Sequence, residues 1–85
     1  MVLLAITSTG LRDALQLAAA HDASVWCSSD AITEAAYEAL QAPDLSRFTY
    51  SLADASPEDL ACAIGTIEEH HPGQTIFVER VTPKN

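Results

Sequence analysis

Four short runs of β-forming residues alternate with three segments of helical spacing, and this alternation restricts the chain to very few architectures. Residues 2–6 form a continuous apolar run, the pattern of a strand covered on both faces. Thr7, Ser8, Thr9 and Gly10 follow, with Ser8 or Thr9 placed to cap a helix whose inner stripe is Leu11, Ala14, Leu15, Ala18 and Ala19. His21 and Asp22 close that helix, and residues 23–27 read as a second strand rich in β-formers. Ser28, Ser29 and Asp30 supply the next cap, ahead of a helix with Ile32, Ala35, Ala36, Ala39 and Leu40 on its buried stripe. Pro43 ends that helix, because the residue before a proline is pushed out of the α region.

Residues 47–52 alternate, with Phe48, Tyr50 and Leu52 on one side and Thr49 and Ser51 on the other, as in a half-exposed edge strand. The third helix has the strongest start signal: Ser56 as cap, Pro57 at the first helical position, and Glu58 and Asp59 in the positive first turn. Leu60, Ala63, Ile64, Ile67 and His71 share its inner face, and Gly65 lies off that stripe. His70, His71, Pro72 and Gly73 end it, and residues 75–81 form a last strand in which Ile76, Phe77 and Val78 are expected to be buried.

This order predicts a single small α/β domain over residues 1–81, a four-stranded parallel or mostly parallel sheet with three helices, and a short tail at 82–85. The first strand is expected between the second and the third, with the fourth outermost or exchanged with the third. A chain of this size hides roughly 60–65% of its unfolded surface. Fifteen of its residues are alanine, which bury little area, so stability is expected to be modest or assisted by a second subunit. The half-exposed third strand, with Phe48 and Tyr50, suits either pairing in a homodimer or cover by the third helix.

Charge narrows the function classes. Twelve Asp and Glu stand against four Lys and Arg, a formal net charge of −8. Nucleic-acid phosphates and anionic membrane surfaces both demand clustered cations, so neither is an expected partner. A mean hydropathy of +0.10 with 19% charged residues fits a folded chain better than a disordered one. The N-terminal apolar run has no basic flank and is too short for a secretion signal or a membrane span, and a cytoplasmic location is expected. Cys27 and Cys62 lack CxxC or zinc-ligand spacing and are read as two free thiols.

Nine of the twelve acids fall in the middle of the chain: Asp30, Glu34, Glu38, Asp44, Asp54, Glu58, Asp59, Glu68 and Glu69, with Arg47 the one cation among them. Glu34 and Glu38 stand four apart on the outer face of the second helix, a like-charge pair that slightly destabilises it. A solvated surface explains this charge; so does a face that meets a basic protein. In the second case Glu34, Glu38, Asp54, Glu58 and Asp59 carry the contact. Tyr37 and Leu17, off the buried stripes, add exposed apolar area, and Trp26 is either core or an interface anchor.

Two other chemistries have candidate residues. The Thr7–Gly10 loop, with Ser8, Thr9 and Gly10 as candidate ligands, and Ser28 and Ser29 lie where strands lead into helix N-termini, the place at which backbone N–H groups can hold an anion, although no glycine-rich phosphate motif is present. Cys27 ends a strand, the location of a reactive thiol, yet no neighbouring cation in the sequence lowers its pKa. His70 and His71 are adjacent, about 100° apart on a helix, so they do not form a ligand pair. Glu68 and His71 have carboxylate-site spacing but no helical bundle to complete it. His21, His70 and His71 suit the negative ends of helices, and no metal or cofactor is expected. Three functional classes follow: first, a small acidic protein-binding module, of the inhibitor, immunity or accessory-factor kind; second, an anion or small-ligand domain; third, a cysteine-dependent enzyme.

Overall fold

The structure, a computed structural model, describes residues 1–80. Its elements follow the expected alternation: β1 (Val2–Ala5), α1 (Ser8–His21), β2 (Ser24–Cys27), α2 (Glu34–Leu40), β3 (Leu45–Arg47), α3 (Pro57–His70) and β4 (Ile76–Val78). All pairings are parallel, and the sheet order is β3-β2-β1-β4. The end of the predicted last strand, Val81, and the predicted tail lie outside the described residues.

Every residue of β1 is buried, and its side chains divide the core in two. Leu3 and Ala5 join Leu11, Ala14 and Ala18 of α1 with Val25, Cys27 and Leu45 on one face. Val2, Leu4 and Ile6 meet Ala63 and Ile67 of α3 with Phe48 and Leu52 on the other. Each large aliphatic residue buried there contributes roughly 1.5–3 kcal/mol through removal from water. Alanines on α1 and α3 let the helices approach the sheet closely, but they add little area.

The strand order corrects the expected one: β3 lies beyond β2 and does not touch β1. Helix faces explain this. α2 packs on the same face as α1, so a right-handed crossover moves the chain a further step away from β1. α3 packs on the opposite face, where the same handedness returns the chain across the sheet to the free side of β1. β3 is an edge strand, as expected, but it ends at Arg47, and Phe48 donates the last ladder bond to the Cys27 carbonyl (2.8 Å). Phe48 and Leu52 are buried beneath α3, whereas Tyr50 is exposed, so the alternation of residues 47–52 does not belong to a regular strand.

Three further expectations are corrected. Thr7, not Ser8 or Thr9, caps α1, its hydroxyl accepting from the Gly10 N–H at 3.1 Å. α2 begins at Glu34 with Thr33 as its cap, because the Ser28 and Asp30 side chains are committed elsewhere. This seven-residue helix buries none of its residues: Ala35, Ala36, Ala39 and Leu40 are exposed, and Tyr37 turns inward to donate to the Leu45 carbonyl at 3.1 Å. In β4, Phe77 and Val78 are exposed and Ile76 is half-buried: Phe77, in register with Leu3, faces the α1 side, where α1 lies over β1 and β2 and no described helix covers β4, while Ile76 and Val78 face the α3 side at the sheet edge.

α3 keeps one internal weakness. An added Cβ at Gly65 meets nothing within 4 Å, so the glycine contributes only backbone freedom there. Gly65→Ala is expected to stabilise the domain by about 0.5–1 kcal/mol, raising the thermal midpoint by roughly 2–6 °C in a calorimetric scan.

Candidate functional site

In a parallel sheet the carboxyl ends of the strands carry the loops that can bind, and the natural crevice lies where the chain departs in opposite directions from neighbouring strands. The corresponding gap here is the one between β1 and β4, whose flanking helices lie on opposite faces of the sheet. α1 leaves β1 on one face, and α3 delivers the chain to β4 from the other.

Glu79, just past β4, fills the crevice. Its Oε1 accepts from the N–H groups of Ile6 (2.6 Å) and Thr7 (2.8 Å), and its Oε2 accepts from the Thr7 hydroxyl (2.6 Å). The Glu79 N–H donates to the Leu4 carbonyl at 2.8 Å, which holds the residue in register with β1. Gly10 supplies the space: a Cβ there would overlap the Glu79 carboxylate. Partial burial pushes this carboxyl up, but the bonds from Thr7 and Ile6 outweigh burial and hold it below the ordinary glutamate value. The loop singled out as an anion cradle thus carries the protein's own carboxylate. Ser8 and Thr9 are exposed at its edge, and Gly10 is bonded to the cap.

A second carboxylate organises the loops after β2 and β3. Asp30 Oδ2 accepts from the hydroxyls of Ser28 and Ser51, both at 2.6 Å, and from the N–H groups of Leu52 and Ala53, both at 3.2 Å. Ser28, fully buried, accepts from the Leu52 N–H at 2.9 Å, and the Ser29 N–H donates to the Tyr50 carbonyl at 3.2 Å. The Ser28 hydroxyl, then that of Ser51, hold the Asp30 carboxyl below its ordinary range. The second pair of candidate anion ligands, Ser28 and Ser29, is therefore also engaged within the chain.

Arg47 behaves as a structural cation. Its Nε donates to the Ile32 carbonyl (2.9 Å) and its Nη2 to the Ser29 carbonyl (3.4 Å), anchoring the loop that leads into α2. The expected acidic residues surround this scaffold. Glu34 stands in the first turn of α2, Glu58 and Asp59 in the first turn of α3, Asp54 in the loop before α3, and Glu38 one turn along α2; all five side chains are exposed. The structure brings Glu34, Asp54, Glu58 and Asp59 to the carboxyl end of the sheet, in the first turns of α2 and α3 and in the loop before α3, beside the loops that Asp30 ties together. It removes Tyr37 from this surface by turning it inward.

Cys27 is fully buried, and burial pushes its thiol up to about 11 against the opposing influence of Arg47. A thiol in that state is protonated at neutral pH and supplies no nucleophile. Trp26 is half-buried on the α3 side. Its Nε1–H donates to His71 Nε2 at 3.2 Å, and its ring lies 5.2 Å from Phe48 and 5.3 Å from His70. His71 is half-buried with one ring nitrogen satisfied, as expected from its place on the apolar stripe. Among the described residues no three His, Cys, Asp or Glu side chains converge as a metal-ligand set, and no described helix is long and apolar enough to cross a membrane. Comparison with protein-family models, with curated proteins and with solved structures finds no match to this chain.

Glu79, and its pairing with Thr7, is what sequence reasoning misses. The two residues are 72 positions apart, and no local pattern marks a lone glutamate after a strand as the partner of a threonine after another. Because the Glu79 carboxyl is held below its ordinary value, its stabilising contribution is present at neutral pH and is lost as pH falls through that lowered value. Glu79→Gln is expected to lower stability at pH 7 by about 1–2 kcal/mol, limited by solvent screening of a partly exposed group. The difference from wild type should shrink towards acid pH in parallel denaturant titrations. For the thiols, a chromogenic disulfide reagent at neutral pH should modify the exposed Cys62 at once and Cys27 only after denaturant is added.

Proposed function

We propose that this chain is an acidic protein-binding module whose carboxyl-end rim covers a basic surface of another protein, as an inhibitor or accessory factor does. The observation that carries this reading is the disposition of charge at the rim. Glu34, Glu38, Asp54, Glu58 and Asp59 point to solvent, while Arg47, the cation nearest to them in sequence, is committed to the carbonyls of Ser29 and Ile32. The two carboxylates that could be mistaken for ligand-binding groups, Asp30 and Glu79, instead make the loops rigid. A surface of solvent-exposed carboxylates on well-anchored loops and helix starts steers a cationic partner during encounter and fixes its register on arrival. Engagement of the Thr7 and Ser28 loops by internal carboxylates favours this reading over an anion site, and the protonated, buried Cys27 favours it over thiol catalysis.

The test is affinity capture from a native lysate, followed by association kinetics with the captured protein. Binding should weaken steeply between about 50 and about 500 mM salt, across which the Debye length contracts below the spacing of exposed charges. Glu34→Lys combined with Glu38→Lys should slow association by about tenfold. The same change should move stability by no more than roughly 1 kcal/mol, because it exchanges one exposed like-charge pair for another and gives up only the favourable place of Glu34 in the first turn of α2. Capture that is indifferent both to salt and to these reversals would overturn the proposal.

A further inference from the structure

The edge of the sheet opposite β3 carries a different surface. β4 is bonded on one side to β1, and among the described residues no strand pairs with its other side. Phe77 is 52% exposed and Leu17 of α1 is 47% exposed; both line a groove of about 410 Å³ between α1 and β4. Two of the large exposed apolar residues thus meet in one place, on the uncovered side of an edge strand, an arrangement that marks a contact surface.

Charge selects what covers it. The groove is lined by one free anion, Asp13, and one cation, Arg80, while the Glu79 carboxylate at its end is bonded inward to Thr7. We propose that this α1–β4 face is the contact surface of a homodimer. A two-fold contact needs a patch complementary to itself, which an apolar centre flanked by one acid and one base provides, with Asp13 of each copy meeting Arg80 of the other. With a net charge of −8 per chain, the surroundings of the other exposed apolar residues work against self-association. Leu40 shares α2 with Glu34 and Glu38, and Tyr50 lines a surface with Asp59, so two copies meeting there would oppose like charges. Phe48, the residue expected to drive pairing through the third strand, is buried beneath α3. This inference is independent of the acidic rim, which stays free in such a dimer.

Sedimentation equilibrium of the full chain, from micromolar to near-millimolar concentration, tests it. The apparent mass should rise to that of two chains. Phe77→Glu and Leu17→Glu should each raise the dissociation constant by about tenfold or more. Leu17 sits on an exposed helix face, so that variant keeps its fold, as circular dichroism will verify. Asp13→Arg or Arg80→Asp alone should weaken the dimer by about two- to fivefold, and the combined swap should restore it. Tyr50→Glu should leave it unchanged. A chain that stays monomeric throughout, a dimer indifferent to Leu17→Glu, or one abolished by Tyr50→Glu would overturn the assignment.

Discussion

β1 must be covered on both faces, and the rest of the molecule is arranged around that requirement. Its residues are apolar without alternation, so leaving either face exposed would place two or more aliphatic side chains in water. α1 and α2 satisfy one side and α3 the other. Helices on opposite faces, joined by crossovers of one hand, send the chain outward along the sheet and then back past its start. The crevice between β1 and β4 is a consequence of that reversal.

Such a crevice gathers unpaired N–H groups at the end of a strand and the beginning of a helix, and these need acceptors. The chain supplies its own. Glu79 satisfies Ile6 and Thr7 from the end of the adjacent strand, although they lie at the other end of the sequence, and Asp30 does the same for Leu52 and Ala53 between neighbouring loops. Internal carboxylates at these positions place negative charge where the backbone favours it, while Arg47 is drawn to carbonyls on the same rim. What faces solvent is then the remainder of the acidic set, held on loops with little freedom. The proposed partner surface is thus a by-product of how the loops were stabilised, and the near-neutral α1–β4 face lies at the far edge of the same sheet.

Much of the architecture was legible beforehand. The apolar run of β1, the spacing along α1 and the Ser56-Pro57 start of α3 are local signals, and the structure places all three elements where those signals lie. Legibility failed where local pattern and tertiary context disagreed. The alanines of α2 have helical spacing, but small side chains offer too little area to fix which side faces inward, and Tyr37 with its hydrogen-bonded hydroxyl fixed it instead. Residues 47–52 alternate like a strand, yet Leu52 and Ala53 give their N–H groups to Ser28 and Asp30, which bends the chain away after Arg47. Ile76, Phe77 and Val78 resemble a buried strand, yet β4 is a sheet edge, and among the described residues no helix covers the side that Phe77 faces.

The site divides in the same way. That acids crowd the middle of the chain, that Cys27 ends a strand, and that hydroxyls precede the first two helices are facts of composition and order. By themselves they determine an acidic α/β domain with four strands and three helices, because periodicity and capping act over a few residues. Only the tertiary structure decided the strand order, the inward turn of Tyr37 and the occupation of the Thr7 loop by Glu79. Each of those depends on which helix lies on which face of the sheet, and on groups that are distant along the chain and adjacent in space.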